Sequence, residues 1–339
     1  MIQKTTEEKI LLAHGAGGKA GHDLLDNIIL PEFNNPLLAE LHDGAKLKVS
    51  GNIAFTTDSY VVKPLFFTGG DIGKLAVCGT VNDLAVTGAI PRFLSAAVII
   101  EEGFPVAELK QIVRSVKETA AAANVLIVTG DTKVVEKGKG DGIYINTAGI
   151  GEIIPGTDIS PRNVTSGMKV LLSGCIGDHA ACLLGERHGL NLGANLRSDC
   201  APLNTLTKEM LTAVPNIAVM RDETRGGVAA VLNEIAVAAN VGILIDEEKI
   251  PVRDEVRGVC DLLGFDVLQL ANEGKLVAFV TAADAEKLLD VMRQNPLGQN
   301  AAIIGEVRAT PAATVGLKTP LGGIRMVDMP AADIVPRIC

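Results

Sequence analysis

The sequence predicts an α/β protein in two domains, without the strict strand–helix alternation of a doubly wound sheet. Three observations carry this. The chain has 339 residues, the length of two ordinary domains, and 47% of them are hydrophobic, so each half can bury a core. Short β-branched runs and helical-period segments mix in both halves. Between the halves lies PGTDISPRNVTSG, residues 155–167, rich in Pro, Gly and Ser and without periodicity. The expected organisation is a first domain over 1–155, a second α/β domain over 156–330, and a flexible tail over 331–339 that ends in Cys339.

In the first half, Ile53 to Val62 reads as a strand because it is rich in β-branched and aromatic residues. Asp71 can cap a helix running to about Thr87. Phe93 to Ile100 is a strand and Val106 to Ala123 a helix. Val125 to Val128 is a buried strand expected to end in Gly130-Asp131-Thr132, and Ile143 to Ile154 is a further strand. In the second half, strands are expected near 170–172, 217–220, 243–245, 276–280 and 303–307. Helices are expected over 177–186, 226–239 and 283–292. Val228 to Ile245 is the nearest approach to a membrane span, but Asn233, Glu234 and Asn240 interrupt it, so it reads as a core helix running into a strand.

Composition limits the function. With 31 Lys+Arg against 40 Asp+Glu, the chain lacks the basic face that a phosphate backbone needs, so nucleic acid is not its main partner. The polar start MIQKTTEEKI has no apolar core of a signal peptide. The six cysteines form no C-x-x-C and no zinc spacing, which fits a reducing compartment, the cytoplasm. Five of them lie within or beside apolar segments. Cys339 is the last residue and lies on none.

Several aspartates share one local pattern, an Asp just past an apolar segment and beside small residues: Asp43, Asp58, Asp83 (after Asn82), Asp131 and Asp222. Such carboxylates can converge on hard cations, because Mg²⁺ takes oxygen ligands and bridges to nucleotide phosphates. Each alone reads equally as a cap or turn residue. His14-Gly15-Ala16-Gly17-Gly18-Lys19 is a glycine-rich stretch whose backbone amides can cradle phosphate, although it is not a P-loop.

Eight segments, in order along the chain, resemble the HypE family of hydrogenase maturation proteins, the carbamoyl dehydratases. They are AHGAGGK (13–19), TTDSYVVKPLFF (56–67), GGDIGKLAVCGTVNDLA (69–85), VTGDTKVV (128–135), SGCIGDH (173–179), RDETRGG (221–227), ANEGKL (271–276) and the terminal PRIC (336–339). The wider superfamily includes aminoimidazole ribonucleotide synthetase, selenophosphate synthetase and thiamine-monophosphate kinase. No cysteine stands near the glycine-rich loop, where selenophosphate synthetases usually carry Cys or selenocysteine.

The resemblance implies an aminoimidazole ribonucleotide synthetase-like fold whose N-terminal domain binds ATP and supplies a sheet to a homodimer. It implies metal contacts at Asp43, Asp58, Asp83 and Asp222, with ATP contacts at Gly17, Gly18, Asn82, Gly130, Asp131 and Thr132, the last three as a phosphate-side turn. It implies Lys133 and Glu273 beside the catalytic Cys339, with ATP and Mg²⁺ as cofactors. The implied partners are the carbamoyltransferase HypF and the HypC–HypD iron carrier. The implied reaction turns a carbamoyl group on the terminal sulfur into a thiocyanate. A ten-residue tail from Pro330 spans up to roughly 30 Å at about 3.3 Å per residue, enough to visit its own active site and then a second protein.

Overall fold

The computed structural model describes residues 8–15, 18–33, 35–40, 44–190, 196–331 and 335–339. A short helix, α1 (Lys19–Leu24), precedes the first sheet. That half continues through β1 (Ile53–Tyr60), β2 (Phe66–Phe67), β3 (Gly70–Asp71), α2 (Ile72–Val86), β4 (Ala89–Glu101), α3 (Val106–Ala122), β5 (Leu126–Val135) and β6 (Ile143–Ile153). Its four main strands are ordered β1-β6-β4-β5. β4 and β5 are parallel and joined through α3, and the other pairs are antiparallel.

The second half runs β7 (Lys169–Leu172), α4 (Asp178–Arg187), α5 (Asn204–Ala213), β8 (Val219–Asp222), α6 (Gly227–Ala239), β9 (Gly242–Asp246), α7 (Asp254–Leu263), β10 (Leu276–Val280), α8 (Ala285–Gln294), β11 (Ala302–Arg308), β12 (Thr314–Lys318) and β13 (Ile324–Met326). Seven strands form one sheet, ordered β13-β12-β9-β11-β7-β10-β8. One core lies between it and α6, another between it and α5 with α8. β10, Leu-Val-Ala-Phe-Val, is buried on both faces and reads accordingly as an unbroken apolar run.

α2 joins the halves. Asp71 caps it by accepting from the Lys74 amide at 2.9 Å. All its residues except Lys74 and Asp83 are buried, because the first sheet and α3 cover one side of it while α5 and β8 cover the other. A helix enclosed this way needs no polar face. Near one end of this contact, a single apolar cluster takes residues from both halves: Ile72 and Ile100 from the first, Leu183 and Val256 from the second, and Val335 and Ile338 from the chain end.

One expected turn is absent. Gly130-Asp131-Thr132 is not a turn. β5 runs straight through it to Val135, paired with β4 from Phe93↔Leu126 to Glu101↔Val135. Glycine fits because the strands approach closely there: a Cβ on Gly130 would sit 2.3 Å from the Ala96 carbonyl oxygen. A bulge beside Leu94 and Ser95 absorbs one residue and lets the pairing continue.

The first sheet has one covered and one open face. α2 covers the face carrying Thr147 and Gly149. On the other face the register aligns Phe55, Ile150, Phe93 and Leu126 in one row across all four strands. Phe55 is 67% exposed and Ile53 50%. Asp131 and Lys133 stand on this same open face, in rows with Ala97 and Ile99.

Candidate active site

Five separate segments meet at a 190 Å³ cavity between the halves. β1 supplies Thr57 and Asp58, and α2 supplies Gly79 and Asp83, four residues apart and so on one helical face. The end of β8 supplies Asp222, followed by Thr224 and Arg225. The turn before β10 supplies Glu273, and the chain end supplies Cys339. The pairing of Asp222 with Leu276 brings the end of β8 beside this turn. Asp199 holds the turn itself, accepting from the Glu273 and Gly274 amides at 3.1 and 3.2 Å and pairing with Lys275 at 3.5 Å. Residue 274 must be glycine, since a Cβ would lie 2.0 Å from the Asp199 carbonyl oxygen. Asp83 accepts from the Thr56 hydroxyl at 2.8 Å.

The electrostatics of the cavity is that of crowded carboxylates. Burial pushes Asp222 up to about 7, and Asp83 and Asp58 add to the rise. Asp83 is raised by burial, with the Thr56 hydrogen bond opposing and Asp58 reinforcing. Glu273 is held well above the usual carboxylate range by burial first, then by Cys200, Asp199, Asp222 and Asp58. Among the described residues, Glu273 Oε1 and the neighbouring Tyr60 Oη have no hydrogen-bond partner. Mutually repelling carboxylates of this kind call for positive charge. No three acidic, Cys or His groups among the described residues stand close enough to enclose a metal ion alone. That arrangement fits Mg²⁺, which binds through one or two carboxylates and completes its shell with water and phosphate oxygens.

Cys339 reaches the cavity because the chain end is docked, where a flexible tail was expected. The Val61 amide donates to the Cys339 carbonyl and the Lys63 amide to the Arg337 carbonyl, both at 3.1 Å. Arg187 donates to the carbonyls of Pro336, at 2.9 Å, and Arg337, and also to that of Lys63 at 2.7 Å. His179 Nε2 lies 2.8 Å from the Ile338 carbonyl and must donate to it, so Nδ1 accepts from the Ser198 hydroxyl at 2.8 Å. Burial lowers the His179 pKa and keeps this neutral form. Arg337 pairs with Asp141. Val335 and Ile338 are 5% and 3% exposed.

The cavity thus gathers Asp58, Asp83, Asp222, Glu273 and Cys339. It does not gather the rest. Lys133 is paired with Asp131 at 2.7 Å, and with Gly130 and Thr132 they line a separate 560 Å³ cavity under α1 and α3. Asn82 lines neither cavity. It is buried, its side chain accepting from the Leu203 amide at 2.7 Å and donating to the carbonyls of Ala201 and Glu273, so it pins the two halves together. Gly18 caps α1. Gly17 and Asp43 lie outside the described residues. Sequence reasoning assigned no role to Tyr60, His179 or Arg187. His179 stood inside the quoted SGCIGDH segment, but a single histidine carries no signal of what it holds, and Arg187 carried none.

Known proteins share this architecture. Residues 41–153 match the N-terminal domain of the AIR synthase related proteins, and residues 165–318 match their C-terminal domain. The carbamoyl dehydratase HypE of Rhodobacter capsulatus is 48% identical over 336 residues, covering 98% of this chain and 99% of its own. That of Escherichia coli K12 is 48% identical over 336 residues, covering 97% and 99%. A crystal structure of the hydrogenase maturation protein HypE in complex with ATP superposes with a TM-score of 0.95 at 45% identity, covering 97% of this chain and 99% of that one. A HypE–HypF complex structure superposes with a TM-score of 0.80 at 50% identity, covering 91% and 99%. A thiamine-monophosphate kinase from Stenotrophomonas maltophilia, at 19% identity and a TM-score of 0.68 over 92% and 98%, shares the fold.

Proposed function

Because the chain belongs to the HypE family of carbamoyl dehydratases, we propose that it works on its own terminus, converting an S-carbamoyl group on Cys339 into a thiocyanate that provides cyanide for nickel–iron hydrogenase maturation. The observation that carries this reading is the presence of Cys339 in one cavity with Asp58, Asp83, Asp222 and Glu273. The enzyme is ATP-dependent, as the ATP-bound relative supports.

A primary amide does not lose water readily, because its oxygen is a poor leaving group. Phosphorylation by ATP makes that oxygen part of a phosphate, and loss of the two N–H protons then closes the C≡N bond. Asp58, Asp83 and Asp222 are the residues that would hold Mg²⁺ at the triphosphate end of ATP, and such an ion would supply neutralisation of phosphate charge. Asp43, Gly17 and Gly18 belong to the same expectation. Glu273 takes an N–H proton. Its carboxyl lines the same cavity as Cys339, which places it to accept that proton once ionised, and a cation held by the neighbouring aspartates would favour the ionised form.

Lys133 acts across a homodimer. Its exposed position on the open sheet face and its separation from Glu273 within one chain support contribution to the partner's site, together with Gly130, Asp131 and Thr132. The aligned apolar row of Phe55, Ile150, Phe93 and Leu126 supports that dimer, since exposed contiguous apolar surface marks interaction sites. HypF loads the carbamoyl group, as the HypE–HypF complex of a relative supports, and HypC–HypD accepts the product. No described helix is long and apolar enough to cross a membrane, and we place the enzyme in the cytoplasm.

The test is intact-protein mass spectrometry with HypF, carbamoyl phosphate and ATP. The chain gains a carbamoyl mass and then loses one water as ATP is hydrolysed, and Cys339→Ser gains neither. Modification at any other cysteine, or dehydration in Cys339→Ser, overturns the assignment.

A further inference from the structure

Apart from the Arg337–Asp141 ion pair, the polar contacts that dock the chain end share a property that its attachment to the domain does not require. The hydrogen bonds from Val61, Lys63, His179 and Arg187 all reach main-chain carbonyls of residues 336–339. Two side chains enter the core, Val335 and Ile338. Pro336 is exposed and Arg337 half-buried. This is the logic of extended-peptide recognition, in which backbone bonds hold the segment and alternate pockets read it. Among the described residues of the chain end, these bonds and buried side chains fall on residues 335–339.

We propose that this groove is a C-terminal peptide-binding site, and that the enzyme dehydrates an S-carbamoylated cysteine presented by a separate peptide ending in Val-x-x-Ile-Cys. The inference rests on the dehydratase reading above and extends its substrate class from one residue of the same chain to a short peptide in trans. Covalent attachment contributes local concentration, in the millimolar range for a short linker, while residues 335–339 make the contacts. The chemistry is unchanged. The amide oxygen of the peptide carbamoyl attacks the γ-phosphorus of ATP and ADP leaves. The two N–H protons pass to Glu273 and to water, and the carbon–oxygen bond breaks with release of phosphate. Carbon, nitrogen and sulfur stay on the peptide as thiocyanate.

Two features define what the groove accepts. The His179 Nε2–H and the two amides at Val61 and Lys63 demand free main-chain oxygens, and the Ile338 side chain is buried in an apolar cluster with Val335. Position 336 faces solvent and is not read.

The experiment uses the full-length chain carrying Ile338→Asp and Cys339→Ser, which frees the groove of its own end and removes its own nucleophile. The substrate is a synthetic peptide of residues 330–339 with an S-carbamoyl terminus. With Mg²⁺ and ATP, the peptide loses the mass of one water at a saturable rate with KM in roughly the millimolar range. The Pro336→Ala peptide reacts within about twofold, and the Ile338→Asp peptide at least about tenfold more slowly, the loss of one fully buried aliphatic contact. Should the double variant not fold, the wild-type chain serves. Unmodified peptide at millimolar concentration then slows dehydration of its own loaded Cys339, and the Ile338→Asp peptide does not. If the wild-type chain dehydrates its own terminus while the peptide neither reacts nor competes, the trans inference falls and the dehydratase reading stands. If the loaded wild-type chain does not dehydrate at all, the dehydratase reading itself falls and takes this inference with it. Equal reaction of all three peptides overturns the specificity.

Discussion

Ile338→Ala separates docking of the chain end from folding of the domains. Ile338 is 3% exposed and shares its cluster with Val335. Ordering five residues costs about 5–10 kcal/mol at 1–2 kcal/mol each. Burying Val335 and Ile338 contributes about 3–6 kcal/mol. Five hydrogen bonds, from Val61, Lys63, His179 and twice from Arg187, add about 3–7 kcal/mol at 0.5–1.5 kcal/mol each. The sums are close, so docking is marginal and small losses move the population. Truncating a buried Ile to Ala removes about 2 kcal/mol or more, which lowers the docking equilibrium constant about 30-fold. Because the end can leave without unfolding either domain, the melting midpoint stays within about 1 °C. Carbamoyl loading is unchanged or faster, while single-turnover dehydration, followed by intact mass, slows by about tenfold or more. A melting point lowered by several degrees with dehydration intact would show that Ile338 is a core residue of the fold, and the argument would be lost.

Asp83→Asn and Asp58→Asn abolish Mg²⁺-dependent ATP turnover and keep the fold, because both side chains face the cavity. Wild-type turnover in either variant removes that residue from the metal site. Phe55→Asp places a charge in the open apolar row and converts a dimer to a monomer in sedimentation without lowering thermal stability by more than about 0.5 kcal/mol, as expected of an exposed position. A wild-type dimer that survives the change refutes the interface. His179→Gln changes the acid side of the stability profile. Burial holds the His179 pKa down in the fold, whereas the unfolded chain takes up a proton below about 6.5. The stability this group gives is complete above that pH and is lost as pH falls below it. The difference between wild type and His179→Gln, measured by urea unfolding from pH 8 to 5, should therefore shrink with acidity. A difference that is flat across that range contradicts the neutral buried imidazole.

Much of the fold was legible because its signals are local. Asp71 announced the start of α2, and the β-branched and aromatic content of β1 and the apolar run of β10 announced strands. α7 was missed because Gly258 interrupts its middle, and α5 because a short Thr-rich segment gives weak periodicity. The turn expected at Gly130-Asp131-Thr132 came from the resemblance rather than from the residues, and glycine there serves the close approach of two strands. The site was legible as residue types and not as a place. Asp58, Asp83, Asp222 and Glu273 come from four segments, and their convergence follows from the pairing of β8 with β10 and the enclosure of α2, which spacing does not encode. Asn82 looked like a ligand residue because it precedes Asp83. Its amide is spent on backbone groups of the second half, a use that depends entirely on tertiary contact.

The amides of Val61 and Lys63 lie just beyond the end of β1, the edge strand of its sheet, and the docked terminus is what covers them. Whenever Cys339 departs, those two N–H groups meet water, while their neighbours within β1 stay paired to β6. They are therefore a clock built into the backbone. Deuterium uptake at residues 61 and 63, set against the slow uptake at Tyr60, counts the excursions of the sulfur directly, in the free enzyme, with ATP, and in the presence of a candidate partner protein.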